Sequence, residues 1–201
     1  MKSKSCLILM LIIVVGLFMA SCGAEKKAAA DAAIKAAEDA YEYAKPKLMK
    51  FLPDQTKAVE DTINSAKASL EKKDYTTALA TAKAVPGKIE ELTIAAAAKK
   101  VELTKTWEES TAGIPRMLQL IKGKLTIYSI PKEVPPSMSK TKLTSARNGY
   151  QDASTKWEEA QNDFSANNLF AAIAKADTVK TKATEVMGLL GIKAPATPTK
   201  G

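Results

Sequence analysis

Histidine is absent from this chain of 201 residues, and cysteine occurs only twice, at Cys6 and Cys22. Histidine is the commonest general base and metal ligand at neutral pH. Its absence excludes a serine–histidine–aspartate triad, a cysteine–histidine pair, the usual zinc sites and attachment of a c-type haem. The sequence therefore predicts no metal and no cofactor, and an enzyme would have to use carboxylates and lysines alone.

Two pairs of adjacent carboxylates could be offered as candidates for such chemistry. They are Glu108 with Glu109 and Glu158 with Glu159. Adjacent side chains on a helix point about 100° apart, so neither pair converges on one substrate atom. We interpret all four as solvated helix surface and predict that the protein is not an enzyme.

One long apolar run is present, from Cys6 to Ala20, and Lys2 and Lys4 precede it. This order of charged and apolar residues is typical of a secretory signal. A retained transmembrane anchor is the alternative, but a span needs about 20 apolar residues. The run reaches that length only if residues 21–24 are counted with it. We therefore expect an exported chain.

The residues Met19-Ala20-Ser21-Cys22 end this run, and they resemble the lipobox of bacterial lipoproteins. The resemblance implies that residues 1–21 are cleaved and that Cys22 becomes a lipidated first residue. Several acyl chains on one residue provide the multiple anchors that stable membrane attachment needs. Gly23 follows the cysteine where aspartate is the usual signal for the inner membrane. The resemblance therefore favours the outer membrane, with the protein facing the periplasm.

Removal of 21 of the 201 residues would leave a mature chain of 180 residues whose single cysteine is lipidated, so no disulfide can form within it. The formal charge would fall from +8 to +6 with the loss of two lysines. A basic balance can indicate nucleic acid or anionic lipid as a partner. Because the lysines are scattered among acids without a block of five, we interpret them as solvated helix surface and expect no nucleic acid partner.

Apolar residues recur at alternating steps of three and four in two neighbouring segments, which is the pattern of packed antiparallel helices. We call each such row a seam. The first seam contains Leu143, Ala146, Tyr150, Ala153, Trp157, Ala160 and Phe164. The second contains Leu169, Ala172, Ala176, Val179, Ala183, Val186 and Leu190. The intervening Ser165-Ala166-Asn167-Asn168 is short enough to predict a tight reversal between two antiparallel helices.

The same pattern recurs 94 residues earlier, around the turn Glu71-Lys72-Lys73-Asp74. Its seams contain Leu52, Thr56, Val59, Ile63, Ala66 and Leu70, then Tyr75, Ala78, Ala82, Val85, Ile89 and Leu92. Identities at this spacing include Ala66 with Ala160 and Val85 with Val179. The repetition predicts an internally duplicated hairpin, with copies at about 52–96 and 143–190.

The remaining segments give several further expectations. Pro86-Gly87 either kinks or stops its helix, and the unbroken seam favours a kink. Residues 114–130 are the most apolar part of the mature chain and either lie in the core or present a face to a partner, with the core favoured. Trp107 and Trp157 either contact a partner or fill the bundle, and their seam positions favour filling. Residues 130–137 should form a loop, and residues 194–201 a flexible tail.

These observations predict an all-α protein, an elongated bundle of antiparallel helical hairpins. A lipidated, alanine-rich start at 22–33 would lead into a bundle at 34–193. Functionally, they favour a membrane-anchored, non-enzymatic protein that binds a protein partner or itself through its helical surfaces. The alternative is a lipoprotein that binds a small molecule or lipid in a cleft between the hairpins.

Overall fold

A computed structural model describes the backbone of residues 3–193 and the side chains of residues 23–193. The side chains of residues 1–22, which include the predicted leader and the predicted lipidation site Cys22, lie outside these described parts. The predicted tail at 194–201 lies outside them as well. The α-helices are α1 (Ser3–Leu48), α2 (Pro53–Glu71), α3 (Tyr75–Thr111), α4 (Ile114–Ile127), α5 (Lys140–Ser165) and α6 (Leu169–Leu190). None of residues 3–193 lies in a strand, so the prediction of an all-α fold is confirmed.

The proline and glycine positions fix several helix boundaries. α3 continues through Pro86, so Pro86-Gly87 does not stop the helix. Gly113 separates α3 from α4, and Pro115 occupies the first turn of α4, where a missing N–H costs little. The predicted loop after α4 contains one 3-10 helix, Pro131–Glu133, which the sequence pattern did not predict.

The chain divides into two compact units, the first ending at Lys99 and the second beginning at Lys100. In unit 1, α1 packs against α2. The buried residues follow the predicted seams on α2 and α3, and those of α1 show the same three-and-four spacing. They are Ala30, Ile34, Ala37, Tyr41 and Leu48 on α1, Thr56, Val59, Ile63 and Ala66 on α2, and Ala78, Ala82, Val85, Ile89, Leu92 and Ala96 on α3. Steps of three and four place such residues on one face of a helix, and that face is the buried one.

A polar contact accompanies the apolar packing between α1 and α2. The Tyr41 hydroxyl donates a hydrogen bond to Glu60 Oε2 at 3.0 Å, and Lys67 forms an ion pair with Glu38. Burial raises the pKa of Tyr41 to about 12, and the bond to Glu60 adds to the shift. The phenol therefore stays neutral over the whole physiological pH range and serves as a hydrogen-bond donor inside the unit.

In unit 2, α5 and α6 share the most extensive contact, and α4 packs against both. The fully buried residues of α5 are all alanines: Ala146, Ala153 and Ala160. The larger side chains of that seam, such as Tyr150 and Phe164, are partly buried beside them. Ile114 and Ile121 of α4 are completely buried. The expectation that residues 114–130 contribute mainly to the core is therefore confirmed, although Ile127 and Ile130 stay exposed.

The two helices α5 and α6 approach closely at Gly149, where an added Cβ would lie 2.6 Å from Val186 Cγ2. Val186 is buried, so its methyl group has little room to move. We expect Gly149→Ala to lower the free energy of unfolding by about 1 kcal/mol, because overpacking outweighs the gain in helix propensity. The matched change Gly123→Ala in α4 meets no atom within 4 Å and should stabilise by about 0.5–1 kcal/mol. Urea denaturation measures both, and stabilisation by both changes would contradict this packing.

The turns after α2 and α5 have the same geometry. Lys73 and Asn167 both adopt the left-handed conformation with φ of 62°. The next amide donates to the carbonyl five residues back in each turn, Asp74 to Ser69 at 2.9 Å and Asn168 to Asp163 at 2.8 Å. This is the Schellman pattern of helix ends. The two turns lie 94 residues apart and agree with the predicted duplication, which itself stays a prediction.

Candidate functional site

Three aromatic side chains of unit 2 meet at one end of its helices. Trp107 lies in the last turns of α3, and Trp157 and Phe164 lie two turns apart on α5. The indole of Trp107 stacks on that of Trp157, with ring centroids 5.6 Å apart and planes 5° from parallel. It also stacks on the Phe164 ring, at 4.7 Å and 15°.

The spacing along α5 shows how these rings are arranged. Seven residues of a helix rise about 10.5 Å, and this rise is close to the combined length of the two stacking distances. Trp107 is therefore inserted between Trp157 and Phe164, with one ring on each of its faces. Each such stack adds about 0.5–1.5 kcal/mol beyond the burial of area. The stack thus fixes the end of α3 to α5.

A surface cleft of about 350 Å³ opens beside this stack. It is lined by Trp107, Thr111, Ala112, Pro115, Trp157, Gln161, Phe164 and Ser165. No lining residue is ionisable, and the hydroxyls of Thr111 and Ser165 donate to backbone carbonyls of their own helices at 2.7 and 2.9 Å. The cleft therefore offers aromatic and apolar surface with the Gln161 amide at its rim, and it offers no group for acid–base catalysis.

An ion cluster lies on the neighbouring surface of α5 and α6. The Lys175 ammonium stands 2.8 Å from Asp163 Oδ2 and 3.3 Å from Glu159 Oε2. The hydrogen bond from Lys175 lowers the pKa of Asp163, and the same contact raises the pKa of Lys175. Both groups are therefore stabilised in their charged forms. Such a cluster joins the helices, and the lowered pKa of Asp163 is opposite to the raised carboxyl pKa that a general acid needs.

The two carboxylate pairs singled out in the sequence do not form a site. All four side chains are exposed: Glu108, Glu109, Glu158 and Glu159. Glu159 also forms an ion pair with Lys175. In the turn of unit 1, the hydrogen bonds from Thr77 lower the pKa of Asp74. Among residues 23–193, no three acidic or cysteine side chains gather in a way that could hold a metal ion.

The sequence placed Trp107 and Trp157 in helical seams but did not show that they stack on each other. A seam shows which face of a helix is buried, but it does not show which other helix covers that face. Trp107 lies on α3, and the repeat pattern did not pair α3 with α5. The only signal was the presence of two tryptophans in a chain with 5 % aromatic residues.

Among helices with described side chains, none combines the length and the apolar character needed to cross a bilayer. Comparisons with protein-family models, with curated proteins and with solved structures found no match to this chain.

Proposed function

We propose that this chain is a lipid-anchored, extracytoplasmic helical protein that acts without catalysis, as a binding or structural component of the cell envelope. The observation that carries the proposal is the order of residues at the amino terminus. A charged start and an apolar run lead directly into small residues and Cys22. Gly23 after the cysteine favours the outer membrane, with the helical units facing the periplasm.

The start of α1 supports this proposal. Residues 24–29 are all exposed, and Ala30 is the first buried residue of unit 1. A helical segment from residue 22 to residue 30 extends about 12 Å. A lipid on Cys22 would therefore be separated from the packed helices by a short stretch that contributes nothing to the core. This arrangement suits a tether between a membrane and a folded unit.

The chemistry of the described surface supports a role in binding over one in catalysis. The sequence has no histidine, and both carboxyl groups with clearly displaced pKa values, Asp74 and Asp163, are displaced downwards. We propose that the partner is a protein or a second copy of this chain, held through helical surfaces.

The anchor is tested with two cysteine variants and a clickable fatty acid supplied to the producing bacterium. Cys22→Ala should abolish incorporation of the label, because it removes the thiol that carries the lipid. Cys6→Ala is the matched control, since Cys6 lies in the predicted leader and should leave labelling unchanged. Persistent labelling of Cys22→Ala, or loss of labelling in Cys6→Ala, would overturn the proposed anchor.

The aromatic cleft favours a second candidate function, the binding of a small apolar molecule. Its volume of about 350 Å³ lies at the lower end of the range for ligand sites. Unlike the cleft expected between the two hairpins, it lies within unit 2. Phenylnaphthylamine fluorescence tests this candidate. Gln161→Trp at the rim should weaken binding of this probe several-fold, whereas Gln151→Trp, at an exposed site on α5 that does not line the cleft, should not. Equal binding by both variants would exclude the cleft.

A further inference from the structure

The positive charge of unit 2 is concentrated in one segment. Residues 116–147 contain seven cations and one acid, Glu133. The cations are Arg116, Lys122, Lys124, Lys132, Lys140, Lys142 and Arg147. The acids of this unit lie mainly elsewhere, on the second half of α5 and the last turns of α3. Unit 2 is therefore electrically polarised.

The fold gathers most of these cations at one end of unit 2. Gly149 of α5 faces Val186 of α6, and Asp152 pairs with Lys182 at 3.4 Å. This antiparallel register places the first turn of α5, with Lys140 and Lys142, just past the end of α6 at Leu190. The last turns of α4 reach the same region, because Lys124 and Ile127 line one groove together with Gly191 and Ile192. We call this surface the basic end: Lys122, Lys124, Lys132, Lys140, Lys142, Arg147, Ile127 and Ile130.

The basic end combines unpaired charge with exposed apolar side chains. Among the described residues, no ion pair joins its cations to a carboxylate. Elsewhere in the described part of unit 2, Lys156, Lys175 and Lys182 are paired, and Lys180 is not. Lys124 instead lies over the Tyr128 ring, 4.9 Å from its centroid. Ile127 is 46 % exposed and Ile130 is 53 % exposed. The groove beside Ile127 has a volume of about 500 Å³.

We propose that the basic end binds the surface of a bilayer that contains anionic phospholipid. Lysines near such a surface gain attraction from the phosphate charge, and branched apolar side chains between them enter the boundary of the acyl region. Charge complementarity favours an anionic bilayer at this surface, because the cations of the basic end have no carboxylate partners within the described protein. The inference goes beyond the proposed anchor and does not depend on it, because the contact uses side chains of unit 2 alone.

The test uses the mature chain, residues 22–201, with Cys22→Ser in place of the lipidated cysteine. This chain should sediment with phosphatidylcholine vesicles that contain phosphatidylglycerol and should stay in solution with phosphatidylcholine alone. Raised salt should weaken binding, because surface charges are screened beyond about 8 Å at physiological ionic strength. Binding that is equal with and without phosphatidylglycerol would overturn the inference.

Two variants with equal loss of charge locate the contact. The first replaces basic-end residues and carries Lys122→Gln, Lys132→Gln, Lys140→Gln and Lys142→Gln. The control replaces exposed lysines elsewhere and carries Lys57→Gln, Lys83→Gln, Lys88→Gln and Lys180→Gln. Because each lysine near an anionic surface adds to the attraction, the first variant should lose at least about tenfold in vesicle affinity. The control should lose less than about threefold, since its lysines lie outside the contact. Equal loss in both variants would show that net charge alone drives binding.

A fluorescent label tests insertion of the isoleucines. The Cys22→Ser chain has no other cysteine after the leader, so Ile130→Cys supplies a single thiol for an environment-sensitive dye. Its emission should shift to the blue with phosphatidylglycerol vesicles. The same dye on Ile94→Cys, which is 68 % exposed in unit 1, should not shift. A shift at residue 94 without one at residue 130 would place the contact elsewhere. Loss of vesicle binding would leave lipidation of Cys22 intact, so this inference and the proposed anchor can fail separately.

Discussion

Replacement of Trp107 by alanine is expected to lower the free energy of unfolding by about 3–5 kcal/mol, the usual range for truncation of a buried tryptophan. Trp107 is only 8 % exposed, and its indole lies between Trp157 and Phe164. The change removes both stacking contacts and leaves a cavity between two rings that are seven residues apart on one helix. Those rings cannot close the gap without bending α5.

Tyr43→Ala is the matched control, because the Tyr43 side chain is 91 % exposed. This truncation of an exposed aromatic side chain should change the free energy of unfolding by less than about 0.5 kcal/mol. Chemical denaturation followed by circular dichroism measures both variants. A loss below about 1 kcal/mol in Trp107→Ala would show that the aromatic stack is not a closely packed contact.

Ala160→Leu is expected to lower the free energy of unfolding by about 1–3 kcal/mol, because a larger side chain must enter a filled interior. Ala160 is fully buried in the core of unit 2. Gln161→Leu, one position along the helix, alters an exposed site and should leave stability nearly unchanged. Equal tolerance at residues 160 and 161 would contradict burial of this seam.

The same change at Ala66 tests whether the two hairpins are equivalent. Ala66 is also fully buried, and it lies 94 residues before Ala160. If the hairpins are copies with equivalent packing, Ala66→Leu should cost about as much as Ala160→Leu. A harmless Ala66→Leu beside a damaging Ala160→Leu would count against a duplicated hairpin.

The sequence was sufficient to predict the helices and their buried faces, because apolar spacing of three and four reports directly which side of a helix leaves water. Small seam residues such as Ala66, Ala146 and Ala176 are buried as expected. The position of the turn at Lys73 was predictable, because it lies between the end of one seam and the start of the next. Its left-handed conformation was not predictable, since lysine has no special preference for that region.

The candidate sites were harder to predict, because they depend on which helices are neighbours. The stack of Trp107 on α5 joins residues that are 50 or more positions apart, and no local period encodes that contact. The basic end was hidden for a different reason. Its lysines are spaced too widely to form a charged block, and only the antiparallel register of α5 and α6 places Lys140 and Lys142 at the end of unit 2 where α6 finishes.

Lipidation of Cys22 at a new amino terminus is tested most directly by mass spectrometry of the mature protein from its native membrane. The terminal peptide should begin at residue 22 and carry the mass of a diacylglyceryl group on the sulfur, usually with a further acyl chain on the amine. A peptide that retains residues 1–21, or one that contains an unmodified Cys22, would contradict the account.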